Sequence, residues 1–265
     1  MAYNIDEITE ILEKQYGMNI IQIQKSEEST DGNVYIINEA YIKYILKIYT
    51  NKEHALRMIS LYNYLNINGI NAPRIIKNKS NEELCCFKDN TYFVMQTFVN
   101  GTKIKNLMIN DEVQRVARYL RNLHNLKGEH LNLPGVPFNI KSNRNAILHF
   151  DTTKNNILQE NEKVFFIDYD DAKYGPAICD VAIAITNLFI SRADGVNVDV
   201  INMFLDAYYG DNDKIRKKEV PLISQVASCW IKNVLENDSF SASTKQGLEN
   251  KYYWINNVSF MYKAK

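Results

Sequence analysis

The stretch His149-Phe150-Asp151-Thr152-Thr153-Lys154-Asn155-Asn156 follows the pattern H-x-D-x-x-x-x-N. With this spacing one loop can hold an aspartate beside a hydroxyl group, where its carboxylate orients the hydroxyl and takes the proton. The asparagine at the end of the pattern can bind a metal ion from the same loop, and the histidine can support the loop backbone. A single match also arises by chance, so the surrounding sequence has to carry the argument.

The residues after this loop predict a hairpin that ends in a second carboxylate. Residues 157–158 and 163–167 can pair across a polar turn at 159–162, and the apolar second strand ends at Asp168. The hairpin would bring Asn156 and Asp168 together. Magnesium prefers carboxylate and phosphate oxygens, and phosphoryl transfer needs mainly positioning and charge control. The two side chains are therefore a candidate magnesium site.

Hydrophobic periodicity divides the chain near Asn100-Gly101. Before this point the pattern predicts helices over 5–17 and 52–65 and strands over 19–23, 34–38, 41–49, 83–88 and 92–98. After it the pattern predicts helices over 112–126, 181–191, 198–209 and 222–235. We therefore expect a two-lobed α+β fold. Residues 1–98 form a small β-sheet lobe with one main helix, and residues 99–265 form a larger, mostly helical lobe.

Lys47 lies within the apolar strand over 41–49. A buried lysine without a partner is costly, and pairing with ATP phosphates and a carboxylate would explain its position. Glu53, at the start of the next predicted helix, is the nearest carboxylate in the sequence. Glu39 is the less favoured alternative.

Composition excludes several classes of function. The chain has 265 residues with 31 Lys plus Arg and 31 Asp plus Glu, so its net charge gives no support to nucleic-acid binding. No apolar run is long enough to cross a bilayer, and the N-terminus is acidic without an apolar signal core. These features predict a cytoplasmic protein without nucleic-acid or membrane partners, either a monomer or a homodimer.

Taken together, these motifs resemble the aminoglycoside phosphotransferase and choline kinase superfamily, the small-molecule relatives of protein kinases, over almost the whole chain. The family loop H-G-D-x-x-x-x-N-[IV]-L corresponds to residues 149–158, and the I-D-[FWY]-[DE] segment corresponds to residues 167–170. A following G-x-x-x-x-D-[LV]-A segment corresponds to residues 175–182. The family helix L-x-x-L-H appears at residues 120–124.

The resemblance implies a role for individual residues. Asp151 would be the catalytic base, Asn156 and Asp168 would bind Mg²⁺, and His149 and Asp180 would support the loop. The co-substrate would be ATP, covered by the N-terminal lobe, with Lys47 steadied by Glu53 on its phosphates. The other residues implied in ATP binding are Ser29, Thr30 and Gly32 of a phosphate loop, and Met95, Gln96 and Phe98 of a hinge over 94–98 that meets adenine.

The resemblance implies a small hydroxyl-bearing acceptor and leaves its chemical class open. The tail, through residues 180–187, Ala193-Asp194-Gly195 and 204–209, is most similar to type II homoserine kinases and implies an amino acid or amino alcohol. An aminoglycoside or related antibiotic is the alternative. For a polycation we expect converging acids, the candidates being Asp170, Asp171, Asp206, Glu236 and Asp238, whereas an amino-acid acceptor needs an arginine or lysine for its carboxylate.

The sequence also departs from the family pattern. Phe150 stands where glycine is usual, and it would either crowd the acceptor or pack under the loop. The phosphate loop at residues 29–35 contains a single glycine. These departures favour a second alternative, a non-catalytic nucleotide-binding module of the same fold. The retained base and metal ligands weigh against it.

Overall fold

The computed structural model describes residues 3–26, 33–88, 90–104, 110–142, 144–191, 195–236 and 242–257. The chain forms two compact units, Met1–Asn100 and Gly101–Lys265. The sequence predicts a boundary after residue 98, close to this division. Among the described residues, no helix combines the length and apolar character that crossing a membrane requires.

The N-terminal unit is built on an antiparallel sheet. Its strands are β1 (Ile20–Lys25), β2 (Val34–Glu39), β3 (Ile42–Tyr49), β4 (Ile75–Ile76), β5 (Cys85–Lys88) and β6 (Thr91–Thr97). Strands β1, β2, β3, β6 and β4 are neighbours in that order, and β5 also pairs with β6. The longer strands agree with the sequence prediction, whereas the short β4 lacks the alternating pattern by which a strand is recognised.

Two helices accompany this sheet, α1 (Ile5–Tyr16) and α2 (Lys52–Ile67). Helix α1 begins where the Asn4 side chain accepts a hydrogen bond from the backbone N–H of Asp6, and it ends at Gly17. Gly17 has φ 74°, a left-handed conformation that glycine adopts without strain. The apolar face of α1 packs into the core on one side of the sheet.

The C-terminal unit is mainly helical. Its helices are α3 (Asn110–His124), α4 (Ile178–Ala184), α5 (Val198–Tyr209), α6 (Asp213–Glu219), α7 (Ile223–Leu235) and α8 (Ala242–Asn257). Short strands are β7 (Thr102–Lys103), β8 (Asn145–Leu148), β9 (Ile157–Glu160), β10 (Lys163–Phe166) and β11 (Lys173–Pro176). Strands β9 and β10 form the predicted hairpin, and β8 pairs with β11.

The segment predicted as one helix over 181–191 contains a change of helix type. Helix α4 continues as a π-helix over Ile185–Phe189. The Thr186 hydroxyl donates to the Ala182 carbonyl at 2.7 Å, and Lys251 Nζ donates to the Thr186 carbonyl at 2.8 Å. The wider turn of a π-helix changes the hydrogen bonding of its carbonyl groups. Lys251 of α8 provides a hydrogen-bond donor for the carbonyl of Thr186.

Candidate active site

The hairpin brings the two predicted metal ligands to one end. Ile157 of β9 is paired with Phe166 of β10, and the backbone N–H of Ile167 donates to the Asn156 carbonyl at 3.0 Å. Asn156 therefore precedes the first strand at the same end at which Asp168 follows the second. The spacing read from the sequence leads to this arrangement because antiparallel pairing fixes which residues are opposite.

Asp151 is half-buried and is held by Asn156. The Asn156 side-chain amide donates to the Asp151 carboxylate at 2.7 Å and to the Asp151 carbonyl at 3.0 Å. Burial raises the pKa of the Asp151 carboxyl above its ordinary value, and the charges of Asp171 and Asp168 raise it further, against lowering effects from His149 and the Asn156 hydrogen bond. A carboxyl with a raised pKa is a stronger base, as proton abstraction from a hydroxyl requires.

His149 supports the loop through both ring nitrogens. Its Nδ1 accepts from the backbone N–H of Asp151 at 3.3 Å, so the ring proton lies on Nε2, which donates to the Ile167 carbonyl at 2.9 Å. The ring is fully buried and packs against Phe166 and Tyr169. His149 thus ties the loop to the strand end before Asp168, a position suited to support rather than proton transfer.

Asp180 of α4 holds the backbone of the same loop. Its carboxylate accepts from the backbone N–H of His149 at 2.6 Å and of Phe150 at 2.8 Å. His124 Nε2 lies 3.2 Å from the same carboxylate. All three donors face a fully buried side chain, so Asp180 fixes the turn that presents Asp151. The predicted support role fits this geometry.

Phe150 occupies a backbone position that favours glycine. Its φ is 65°, in the left-handed region, which costs a residue with a side chain about 1–2 kcal/mol. The ring is 9% exposed, lies 6.2 Å from the Phe138 ring, and has Lys173 Nζ 5.9 Å from its centre. The ring packs in the C-terminal unit, and its burial offsets the backbone strain. Of the two alternatives left by the sequence, this contact favours packing.

We expect Phe150→Gly to be more stable to denaturant than Phe150→Ala, by about 1–2 kcal/mol, because only glycine accepts this φ without strain. Both variants lose the buried ring and are less stable than the parent. Phe166 in β10 is the control, since glycine there should be about 0.5–1 kcal/mol worse than alanine. If the alanine variant is the more stable one at position 150 as well as at position 166, the backbone strain at Phe150 is contradicted.

The hairpin end has the chemistry of a magnesium site completed by phosphate. Asp168 is exposed, with φ 64°, and follows β10 at the end of the hairpin at which Asn156 precedes β9. The negative charges of Asp168 and Asp171 both act on Asp151, a repulsion that a divalent cation would relieve. Within the described ranges no three His, Cys, Asp or Glu side chains form a metal cage. Magnesium commonly takes one or two carboxylates and leaves its other positions to phosphate and water.

The acids proposed for the acceptor differ in exposure and in their partners. Asp170 is half-buried and Asp171 is exposed, two and three positions after Asp168 in the sequence. Asp206 instead forms an ion pair with Arg216. Glu236 is exposed at the end of α7. Asp238 lies outside the described residues.

Lys47 is 6% exposed in β3, opposite Val34 of β2. Glu39 is paired with Ile42, five positions from Lys47 along the strand, which corresponds to about 17 Å. The Glu39 carboxylate instead accepts from the backbone N–H of Asn19 at 3.0 Å. Glu39 as a partner of Lys47 is therefore wrong, because strand register carries it away. Glu53 is exposed in the first turn of α2, and its pairing with Lys47 stays a prediction.

The predicted adenine hinge overlaps strand β6. Gln96 is paired with Ile45 on one side and with Ile75 on the other, and buried Met95 belongs to the core of the N-terminal unit. Only Phe98 follows the end of the strand. The Gln96 Nε2 amide is buried, and among the described residues it has no hydrogen-bond partner. The other predicted ATP-binding residues, Ser29, Thr30 and Gly32, lie outside the described residues, as do Ala193 and Asp194 of the tail motif.

Sequence reasoning missed part of the polar framework behind the loop. His124 is buried against Asp180 and Tyr208. Arg144 and Glu219 form a partly buried ion pair beside Tyr208. The family helix L-x-x-L-H ends at His124 and was the available signal. Tyr208 lies within the tail segment 204–209, whereas Arg144 and Glu219 belong to no motif.

The family comparison agrees with this geometry. The model of the APH phosphotransferase enzyme family matches residues 22–146 and 130–216, which together span most of the chain. A comparison with curated protein sequences finds no significant match.

Solved structures resemble the chain over nearly its whole length at low identity. Amicoumacin kinase hAmiN, in complex with AMP-PNP, Ca²⁺ and Ami, is 15% identical with a TM-score of 0.72, covering 97% of this chain and 96% of that one. Spectinomycin phosphotransferase with ADP and spectinomycin is 14% identical with a TM-score of 0.68, covering 96% and 94%. Choline kinase from Cryptosporidium parvum Iowa II is 12% identical with a TM-score of 0.68, covering 96% and 95%.

These similarities establish an α+β fold of the kinase-like type, as predicted. They also confirm the superfamily resemblance, whereas the homoserine kinase branch stays a prediction. The chain therefore belongs to the APH phosphotransferase enzyme family and is a small-molecule kinase.

Proposed function

We propose that this kinase transfers the γ-phosphoryl group of ATP to a hydroxyl group of an amino alcohol or amino acid, with Mg²⁺. The observation that carries the proposal is the hydrogen-bonded loop and hairpin that place Asp151, Asn156 and Asp168 at one end of β9 and β10. ATP as the phosphoryl donor agrees with the nucleotide complexes of the amicoumacin and spectinomycin enzymes.

The residues of the loop and hairpin have distinct tasks in the proposed reaction. Asp151 accepts a hydrogen bond from the acceptor hydroxyl, aligns its oxygen with the γ-phosphorus and takes its proton as the new O–P bond forms. Asn156 keeps the Asp151 carboxylate in place through its 2.7 Å hydrogen bond. Asn156 and Asp168 would hold magnesium, which offsets the negative charge on the phosphates when bound. The bond to the β-phosphate oxygen breaks, and ADP leaves.

The nature of the acceptor rests on two arguments. The tail resembles type II homoserine kinases, and choline kinase, an enzyme named for an amino alcohol, has the same fold. Asp170 and Asp171 follow Asp168 and are the acids available to an ammonium group. Of the other candidates, Asp206 is paired with Arg216, and Glu236 is exposed at the end of α7. A small acceptor with one ammonium group needs fewer acids than a polycationic aminoglycoside does.

We propose that Lys47 binds the ATP phosphates, with Glu53 as its carboxylate. Lys47→Met should raise the KM for ATP by about 10- to 100-fold, which corresponds to the roughly 1.5–3 kcal/mol of a hydrogen bond to a charged group. Initial rates at varied ATP give this value. Lys14→Met, an equal charge change on the exposed face of α1, is the control. A KM for ATP that stays at the parental value in Lys47→Met would exclude Lys47 from the phosphate site.

The function is tested by ADP release in the presence of Mg²⁺ and a panel of acceptors: homoserine, choline, hydroxylysine, methylthioribose, kanamycin, spectinomycin and amicoumacin. Mass spectrometry of the acceptor should show the gain of one phosphate group. Reactions without acceptor and reactions with EDTA measure the background.

Stimulation by homoserine, choline or hydroxylysine alone supports the amino acid or amino alcohol class. Stimulation by the antibiotics alone would show that the acceptor is an antibiotic. Two of the enzymes with similar structures are named for antibiotic substrates. A protein that binds no nucleotide and releases no ADP with or without an acceptor would contradict the proposal as a whole.

A further inference from the structure

A series of connected hydrogen bonds, buried or partly buried, continues from Asp180 away from the catalytic loop. The first link is His124 at the end of α3, with Nε2 at 3.2 Å from the Asp180 carboxylate. The His124 Nδ1 atom lies 2.6 Å from the hydroxyl of Tyr208 in α5. Arg144 Nη2 donates to the same hydroxyl at 2.8 Å. Arg144 also forms two hydrogen bonds with Glu219 of α6, at 2.9 and 2.7 Å. This series of hydrogen bonds therefore connects the active-site loop to α3, α5 and α6.

The direction of these hydrogen bonds follows from Arg144, since a guanidinium group only donates. Tyr208 accepts from Arg144, which leaves its own proton for His124 Nδ1. The second proton position of the imidazole is then Nε2, which donates to Asp180. Burial raises the pKa of the Tyr208 hydroxyl, so it keeps the proton that this order requires. The three hydrogen bonds that run from Arg144 through Tyr208 and His124 to Asp180 are all donated in that direction, and hydrogen bonds aligned in this way strengthen one another.

Arg144 is 26% exposed at its side chain, but few alternatives exist for the other groups, because they are shielded from water. Asp180 is fully buried, and His124, Tyr208 and Glu219 are at most 4% exposed. A donor or acceptor that loses its partner at such a depth is left unsatisfied. The side chains can therefore hold Asp180 in one position. Arg144 is also fixed through its backbone, because its carbonyl accepts from the N–H of Ala177, at the start of α4.

The series of hydrogen bonds ends at the turn directly before the proposed base. Asp180 accepts from the backbone N–H groups of His149 and Phe150. Phe150 has the left-handed φ of 65° and precedes Asp151. This strained turn depends on the Asp180 carboxylate, and a shift of about 1 Å in a reacting group can reduce a rate 100-fold.

We propose that His124, Tyr208 and Arg144 are positioning residues of the phosphotransfer reaction, acting through Asp180 on the turn that presents Asp151. The inference rests on the proposed function, because its effect is on the rate of that reaction. It predicts that loss of a hydrogen bond between Arg144 and Asp180 in this series lowers kcat and leaves the KM values for ATP and acceptor nearly unchanged.

Two adjacent tyrosines provide a matched test. Tyr208→Phe removes the hydroxyl that joins Arg144 to His124. Tyr209→Phe removes a hydroxyl that is also buried and donates to Glu219 at 2.9 Å, but this hydroxyl is not on the path to Asp180. Tyr208→Phe loses two hydrogen bonds, with His124 and with Arg144, and Tyr209→Phe loses one, while both variants keep the aromatic ring. We expect Tyr208→Phe to lower kcat by about 10- to 100-fold, with each KM within about twofold of the parent, whereas Tyr209→Phe keeps the parental kcat.

Hydrogen exchange provides a second readout that does not depend on activity. The amides of His149 and Phe150 should exchange faster in Tyr208→Phe than in Tyr209→Phe, because only the first variant loosens Asp180. In a second pair, His124→Gln, which retains a donor for Asp180, should recover part of the kcat that His124→Ala loses.

The possible results separate this inference from the proposed function. An active parent in which Tyr208→Phe and Tyr209→Phe have equal kcat and equal exchange would overturn the positioning role and leave the function intact. A parent without phosphotransfer to any acceptor or to water would overturn the proposed function. In that case the exchange experiment still decides whether Tyr208 controls the turn at Phe150.

Discussion

Replacing Asp151 with asparagine is expected to lower kcat by about 10²- to 10⁴-fold, the usual contribution of a general base. The asparagine cannot take the proton of the acceptor hydroxyl, but its carbonyl oxygen can still accept from the Asn156 amide, so the loop keeps its shape. Acceptor-dependent ADP release measures the rate, and calorimetry should show nucleotide binding close to that of the parent. Substantial turnover in the variant would exclude Asp151 as the base.

The same substitution should stabilise the protein at neutral pH, by about 0.5–2 kcal/mol. Burial raises the pKa of Asp151 in the folded state. The folded protein therefore binds this proton more tightly than the unfolded chain does, and stability falls as pH rises between the two pKa values. The asparagine variant has no carboxyl group to titrate at this position, so its stability does not fall for this reason as pH rises. Denaturation at several pH values should show the stability difference growing with pH across that interval. For the parent, activity should be lost as pH falls through the raised pKa.

Replacing Asp168 with asparagine is the second change for which we expect a large effect. Loss of a metal ligand removes part of the several kcal/mol by which a bound cation stabilises charge in the transition state, so kcat should fall by about 100- to 1000-fold. The Mg²⁺ concentration that gives half-maximal activity should rise as well. A magnesium titration of ADP release at saturating ATP measures both quantities.

Asp171→Asn is the matched control for Asp168, because it removes an equal charge from the same segment. Asp171 influences the pKa of Asp151 but is proposed to contact the acceptor. Its replacement should raise the KM for the acceptor and leave the magnesium requirement unchanged. The assignment of Asp168 as the metal ligand fails if the two variants have the same magnesium dependence.

The loop and the hairpin could be predicted from sequence because their geometry is local. Asn156 and Asp168 are separated by a short antiparallel hairpin, and pairing rules place them at one end. Helix α5, predicted over 198–209, has those bounds in the structure. In both cases the deciding residues are close in sequence, so their spacing contains the information.

Features that depend on distant residues could not be predicted in this way. Arg144 and Glu219 are 75 positions apart, and no periodicity within a window of the sequence connects them. Glu39 seemed available to Lys47 because it is near in the sequence, but strand register separates them. The π-helix after α4 is stabilised partly by Lys251 of α8, another long-range contact.

The left-handed turn at Phe150 also affects how this sequence can change. Phenylalanine and glycine codons differ at both of their first two bases, so a path of single-base changes to glycine passes through valine or cysteine. Each of these intermediates loses the packed ring and still carries a side chain at positive φ, where a β-branched residue such as valine is especially unfavourable. Mutation one base at a time therefore meets a barrier at this codon, and a lineage that has acquired phenylalanine here should keep it.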